Sequence, residues 1–125
     1  MLQILLVGAG GFLGSVLRYL LSRWVHTVLD NPWFPYGTLT VNVLGCLVIG
    51  FLAGLAENRL VFTSDGRLFV FIGVLGGFTT FSSFGLETFS LVRSAQSLAA
   101  SLNVGLEVAL GLLAVWIGNV LARLV

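Results

Sequence analysis

The stretch Gly76-Gly77-Phe78-Thr79-Thr80-Phe81-Ser82-Ser83-Phe84, with Glu87 three residues further on, decides the fold of this chain. It lies inside a long apolar run, where paired glycines and hydroxyl side chains interrupt a helix. In a bilayer, irregular backbone is tolerated only where it is buried in protein or lines a cavity. Ionisable residues at that depth mark ion or substrate routes. The segment therefore predicts a polar path through a membrane.

The composition of the whole chain agrees with a membrane protein. Its 125 residues are 58% hydrophobic and 9% charged, which predicts a multi-pass membrane protein in contact with lipid, built as one domain over residues 1–125. The six basic residues are arginines that occur singly, whereas nucleic-acid binding needs a clustered basic face. No nucleic-acid partner is therefore expected.

Four segments are long and apolar enough to span a bilayer, which takes about 20 residues each. They cover approximately residues 2–25, 37–56, 68–92 and 98–124. The connections are a turn region at 30–36 with both prolines, a polar loop at 57–67 and a tight turn at 93–96. His26 falls in the first connection and is expected at the membrane interface. We predict an all-α, four-helix membrane protein with a break in the third helix.

Pairs of glycines four residues apart predict where these helices contact one another. They are Gly10/Gly14, Gly50/Gly54 and Gly73/Gly77. Such small residues allow membrane helices to approach closely.

The distribution of arginines bears on orientation and assembly. With four spans, one side of the membrane holds Arg59, Arg67 and Arg123, and the other holds Arg18, Arg23 and Arg93. Three against three gives no orientation preference under the positive-inside rule. Four short helices also enclose little room for a polar pore, so an antiparallel homodimer is expected to be allowed.

The third span carries the residues best suited to an anion. If the helix resumes after a break at Gly76–Gly77, Phe81 and Phe84 lie on one face, and Ser83 and Glu87 lie on an adjacent face. Aromatic rings have positive edges, which can hold a small anion. The hydroxyls of Thr80, Ser82 and Ser83 could add donors. The competing interpretation is that both rings are ordinary core residues.

The other polar residues allow more than one role. Thr38 and Asn42 share a face of the second span, and the Asn42 amide could join helices or donate to a passing anion. Arg18, close to the end of its helix, could extend to the interface. The break would free the carbonyls of Gly76 and Thr79 to coordinate a monovalent cation, or it could be a simple kink.

These residues resemble the Fluc (CrcB) family of fluoride ion channels over essentially the whole chain. The resemblance rests on Gly14-Ser15, Leu17-Arg18, Gly37-Thr38-Leu39, Asn42, the Gly76–Phe84 element, Glu87-Thr88 and Gly111-Leu112-Leu113-Ala114. It implies an antiparallel, dual-topology homodimer with two pores that passively exports fluoride. It also implies that the protein is not an enzyme and that it lies in the cell (inner) membrane.

The resemblance further implies roles for individual residues. Phe81, Phe84 and Asn42 are expected to line the fluoride pore, with Thr38, Ser83, Thr80 and Glu87 in a polar track. Arg18 is expected near the vestibule. The carbonyls of Gly76 and Thr79 are expected to bind a central structural Na⁺ at the dimer interface.

Two departures from the family pattern and one alternative function stand beside this interpretation. Ser83 replaces a threonine, and Glu107 and Gly111 occupy fourth-helix positions where Ser or Asn is expected. Glu107 could replace a hydroxyl donor if protonated, or pair elsewhere. The alternative is a small four-helix proton-coupled multidrug or cation exporter. Such an exporter would need a carboxylate in the middle of the first helix for proton coupling, and the first helix has no Asp or Glu. A non-transporting membrane assembly subunit is the third class, and it would leave the aligned polar residues unexplained.

Overall fold

The computed structural model describes residues 1–30, 33–59 and 62–125, and the described residues form helices without strands. The helices are α1 (Leu2–Val28), α2 (Tyr36–Arg59), α3 (Ser64–Arg67), a π-helix (Leu68–Leu75), α4 (Gly76–Phe78), α5 (Phe81–Arg93) and α6 (Ser97–Leu124). Four stretches are long and apolar enough to cross a membrane: Leu2–Val28, Tyr36–Glu57, Ser64–Arg93 and Ser97–Leu124. The predicted all-α fold with four spans is confirmed.

The first helix is longer than predicted and includes His26. No proline or glycine follows Gly14 before the helix ends, and Thr27 Oγ1 donates to the carbonyl of Arg23 at 2.9 Å. The helix ends at Val28, and Asp30 then adopts a positive φ of 42°. The placement of His26 in the first connection was therefore wrong, because nothing in the sequence stops the helix at Val25.

The third span is broken as predicted, but not at the glycines. Gly76 has helical dihedrals, with φ −64° and ψ −35°. The extended residues are Thr79, with ψ 158°, and Thr80, with φ −152° and ψ 115°. A new helix begins at Phe81, where Thr80 Oγ1 accepts the backbone N–H of Ser83 at 3.2 Å. Threonine is a preferred N-cap residue, and its capping contact here accompanies the resumption of the helix.

The predicted break at Gly76–Gly77 is corrected to Thr79–Thr80, and the glycines have a different use. A Cβ at Gly73 would lie 2.9 Å from Gly10 Cα, and a Cβ at Gly77 would lie 2.6 Å from the carbonyl oxygen of Gly11. Both distances are shorter than real Cβ contacts. The π-helix and α4 therefore pack backbone to backbone on α1, as small-residue membrane contacts do.

The second close contact joins α2 and α6. A Cβ on Gly54 would lie 2.7 Å from Ala122 Cβ, and one on Gly50 would clash with the backbone of Val115. The predicted contact at Gly50/Gly54 is therefore with the fourth span. The two pairs, α1 with the third span and α2 with α6, are joined by contacts between α1 and α2 and between α5 and α6.

A tight turn fixes α5 against α6, as the sequence predicted. The N–H of Ala95 donates to the carbonyl of Val92 at 3.0 Å, and that of Gln96 donates to Leu91 at 2.9 Å. The helix-ending residue Ala95 has φ 58°. A buried apolar cluster lies at this end of the bundle, formed by Phe34, Leu39, Leu91, Ala99 and Ala100. It packs α5 against α2 and α6 near the α5–α6 turn.

Candidate functional site

The side chain of Asn42 replaces helix hydrogen bonds at the break. The N–H of Thr80 donates to Asn42 Oδ1 at 2.9 Å, and Asn42 Nδ2 donates back to the carbonyl of Thr80 at 3.1 Å. In a continuous helix the Thr80 N–H would donate to the carbonyl of Gly76. The α2 amide therefore holds the third span in its extended form, because a buried backbone group needs a partner.

Glu107 is bound to the same amide. Asn42 Nδ2 also donates to Glu107 Oε1 at 3.1 Å and to Oε2 at 3.2 Å. An amide nitrogen has two hydrogens, so this contact and the one to Thr80 use both donors. Of the two roles left open by the sequence, donor or partner elsewhere, the structure places Glu107 as an acceptor. The side chain of Asn42 thereby connects α6 to the break.

An apolar groove of about 380 Å³ opens on one side of the break. Its lining comes from α2, the third span and α6: Asn42, Gly45, Cys46, Ile49, Phe71, Leu75, Gly76, Thr79, Thr80, Phe81, Phe84, Glu107 and Val108. The rings of Phe81 and Phe84 have centroids 5.4 Å apart and planes tilted by 54°. Phe81 is 84% exposed, so it is not a core residue of the single chain.

A polar cleft of about 620 Å³ opens on the other side of the break. Residues of α1, α2 and α5 line it: Ser15, Arg18, Tyr19, Ser22, Arg23, His26, Thr38, Val41, Thr80, Ser83 and Glu87. Arg18 Nη1 donates to the carbonyl of Thr79 at 3.3 Å. The guanidinium thus points toward the break instead of extending to the interface. Two arginines make the cleft cationic.

The predicted polar track lies along the wall of this cleft. Thr38 Oγ1 donates to Glu87 Oε1 at 2.7 Å, which joins α2 to α5. Thr80 Oγ1 donates to Ser83 Oγ at 3.1 Å and lies 3.3 Å from Ser82 Oγ. Glu87 Oε2 is buried and has no hydrogen-bond partner among the described residues. The hydroxyls expected to serve an anion are therefore bonded to one another in this structure.

The carbonyls proposed from the resemblance as cation ligands differ in their surroundings. Gly76 is exposed, and the N–H that a helix would aim at its carbonyl is bound to Asn42 instead. The carbonyl of Thr79 accepts the long bond from Arg18 and keeps a second lone pair. No cluster of three His, Cys, Asp or Glu side chains occurs in the part of the chain that the structure describes. These main-chain carbonyl oxygens fit a hard monovalent cation better than a transition metal.

Sequence reasoning missed part of the cleft and one buried amide. Ser15, Tyr19, Ser22 and His26 line the cleft at intervals of three or four residues along α1, a spacing that the sequence displays. Asn103 is 1% exposed, and its Nδ2 donates to Thr88 Oγ1 at 2.9 Å, which ties α6 to α5. A polar residue in an apolar span was the available signal for this contact.

Irregular backbone inside a membrane span that borders a cavity, with ionisable residues beside it, indicates a membrane protein with an ion or substrate route. Comparison with known families assigns the chain more closely. The family described as "CrcB-like protein, Camphor Resistance (CrcB)" matches residues 5–119. The chain belongs to this family.

Similar proteins match over nearly the whole chain. A protein named fluoride-specific ion channel FluC from Rhizobium meliloti (strain 1021) is 46% identical over 121 residues, covering 97% of this chain and 96% of its own length. One of the same name from Elusimicrobium minutum (strain Pei191) is 47% identical over 123 residues, covering 98% and 95%. Another from Rhizobium etli (strain ATCC 51251) is 42% identical over 123 residues, covering 98% of each chain.

Proposed function

We propose that this protein is a fluoride-selective ion channel that passively exports fluoride through two pores of an antiparallel homodimer. The observation that carries the proposal is the Thr79–Thr80 break, with a cationic cleft on one side and an aromatic groove on the other. The names and full-length similarity of the relatives support fluoride as the transported ion.

The cleft would serve as the vestibule. Arg18 and Arg23 line it beside a single carboxylate, that of Glu87, and a cleft with an excess of positive charge concentrates anions. The donors beyond are the hydroxyls of Thr38, Thr80 and Ser83, which must exchange their present partners for the anion. The edges of Phe81 and Phe84 would then hold the dehydrated anion without a formal counter-charge.

Exposure of the break supports a dimer. Thr79 and Thr80 lie near the middle of the third span, and Gly76 beside them is exposed in the single chain. Lipid does not satisfy such backbone, so protein must cover it. A second copy applied to the groove would cover Phe81 and close a pore on each side of the shared interface.

The arginine count supports insertion in both orientations. Because the Arg18 guanidinium donates to the Thr79 carbonyl near the middle of the third span, Arg18 is left out of the count at the membrane surface. The remaining ratio is three against two, which is still a small bias. An antiparallel arrangement of two identical chains stays available.

A structural Na⁺ at the dimer interface belongs to the same proposal. The carbonyl of Gly76, released by the bond between Asn42 and Thr80, and the carbonyl of Thr79 would hold it together with those of a second copy. When bound, the cation would supply positive charge that offsets repulsion between paired carbonyls. Arg18 already donates to the Thr79 carbonyl, so the positive guanidinium in the vestibule and a cation bound at this site would repel each other.

A liposome efflux measurement tests the function. Purified protein in vesicles loaded with fluoride, chloride or an organic cation should release fluoride alone, without a proton gradient. Efflux of the organic cation driven by protons would instead identify an exporter. Release of none of the three, from correctly assembled protein, would identify a non-transporting subunit.

Orientation is tested by charge. Three lysines added to the connection at 57–67 should retain that loop in the cytoplasm and lower activity when the variant is expressed alone. Co-expression with a variant carrying lysines near Arg93 should restore activity. Full activity of the first variant alone, with uniform orientation demonstrated, would exclude an antiparallel working dimer.

A further inference from the structure

The amide of Asn42 has one donor that the break does not need. Its orientation is fixed, because the Thr80 N–H can only donate and therefore requires Oδ1 at 2.9 Å. One Nδ2 hydrogen returns to the carbonyl of Thr80 at 3.1 Å. The second hydrogen is the only part of this amide left for another acceptor.

Both carboxylate oxygens of Glu107 accept that second hydrogen, at 3.1 and 3.2 Å from Asn42 Nδ2. The carboxylate lies in the wall of the groove that also holds Phe81 and Phe84. Among the described residues lining this groove there is no arginine or histidine, so no lining cation neutralises the carboxylate. Cys46, the other titratable residue in this lining, is not cationic either.

We propose that the Glu107 carboxylate is a tethered anion that competes with fluoride for the second amide hydrogen of Asn42, and that it sets the apparent affinity of the channel for fluoride. The inference rests on the function proposed above. A carboxylate oxygen and a fluoride ion accept the same kind of hydrogen bond, and one N–H cannot serve both well. Two negative charges at such close range also repel strongly in a weakly screened interior.

The competition makes the flux depend on the fluoride concentration. Fluoride must displace the Glu107 side chain before it reaches Asn42, so low fluoride concentrations leave the site closed by the protein's own carboxylate. Rising fluoride concentration shifts the balance toward the mobile ion. Glu107 is therefore a residue that determines at which concentration the channel begins to conduct.

The test uses the full-length protein in vesicles at one fixed pH, with initial fluoride efflux measured across a range of fluoride concentrations. Glu107→Gln keeps the side-chain volume and removes the charge, and Glu107→Ala frees the amide. Both should lower the half-saturating fluoride concentration, by roughly tenfold if one close like-charge repulsion is removed. Glu57→Gln, at the exposed end of α2, removes a carboxylate far from Asn42 and should leave the curve unchanged.

An unchanged or higher half-saturating concentration in the assembled Glu107 variants would overturn the proposal. Infrared difference spectra of the wild-type protein with and without fluoride give a readout that does not depend on flux. The carboxylate band that is lost in Glu107→Gln or Glu107→Ala should shift on fluoride addition, and a band that stays constant would also overturn the proposal. Wild-type protein that conducts while both tests fail would overturn this inference alone, whereas wild-type protein that passes no fluoride would overturn the proposed function with it.

Discussion

The two openings on either side of the break differ in charge and in what their residues are bonded to. The cleft holds Arg18 and Arg23 beside one carboxylate, that of Glu87, whereas the groove is largely apolar and holds the Glu107 carboxylate without an arginine. They share Thr80, whose backbone faces Asn42. Under the proposed function, the cleft would attract an anion from a distance, and the groove would accept it only after Asn42 exchanges its present partners.

Asn42 lies where the two environments meet, so its substitution should have the largest effect. Asn42→Asp would remove the bond to the Thr80 carbonyl and place a second carboxylate against Glu107, now bound at 3.1 Å. Fluoride flux should fall by about 100-fold, equivalent to about 2.7 kcal/mol. Vesicle efflux measures it.

The comparison variant is Asn42→Ala, which adds no charge but loses both donors and also the oxygen that accepts the Thr80 N–H. It should retain more flux than Asn42→Asp. Equal conduction by the two variants would show that charge at this position does not matter to the path. Thermal unfolding in detergent separates either result from a collapse of the break.

The aromatic side of the comparison is tested by Phe81→Ile and Phe84→Ile. Each should reduce fluoride flux by roughly tenfold while the dimer stays intact, because the ring edge is lost and the volume is nearly kept. Phe89→Ile is the control, since Phe89 is 58% exposed on the same helix and does not line the groove. Wild-type flux in both groove variants would show that the two rings serve only in packing.

The sequence predicted the spans and the polar residues better than it predicted their partners. Apolar length and glycine spacing are local signals, and both the four spans and the close contacts at Gly10 and Gly73 follow from them. The break lies at Thr79–Thr80 because Asn42, 38 residues away, replaces the helix bonds there. A contact of that range leaves no local pattern, and the bond from Asn42 to Glu107, 65 residues apart, leaves none either.

Arg18→Gln tests the cationic side of the comparison. Removing one positive charge from the cleft should lower flux about fivefold at low ionic strength and less in high salt, because steering of an ion is screened by salt. Efflux measured at two ionic strengths checks this. Arg123→Gln, at the C-terminal end of α6, is the control. A reduction independent of salt would assign Arg18 to holding the Thr79 carbonyl instead.

An effect no larger than that of Arg18 should come from the contact that joins the cleft wall to α5. Thr38 Oγ1 donates to Glu87 Oε1 at 2.7 Å, and the other oxygen of Glu87 is already without a partner in the described part of the chain. Thr38→Val keeps the shape but leaves both oxygens without this donor, whereas Thr38→Ser keeps the hydroxyl. Because one hydrogen bond contributes about 1 kcal/mol, we expect Thr38→Val to lower flux about fivefold and Thr38→Ser to stay near wild type. Equal losses in both variants would mean that the methyl group supports the wall as much as the hydroxyl does. If Thr38→Val instead conducts normally, Glu87 finds its donor in the cleft without α2, and the cleft depends on its arginines more than on its hydroxyls.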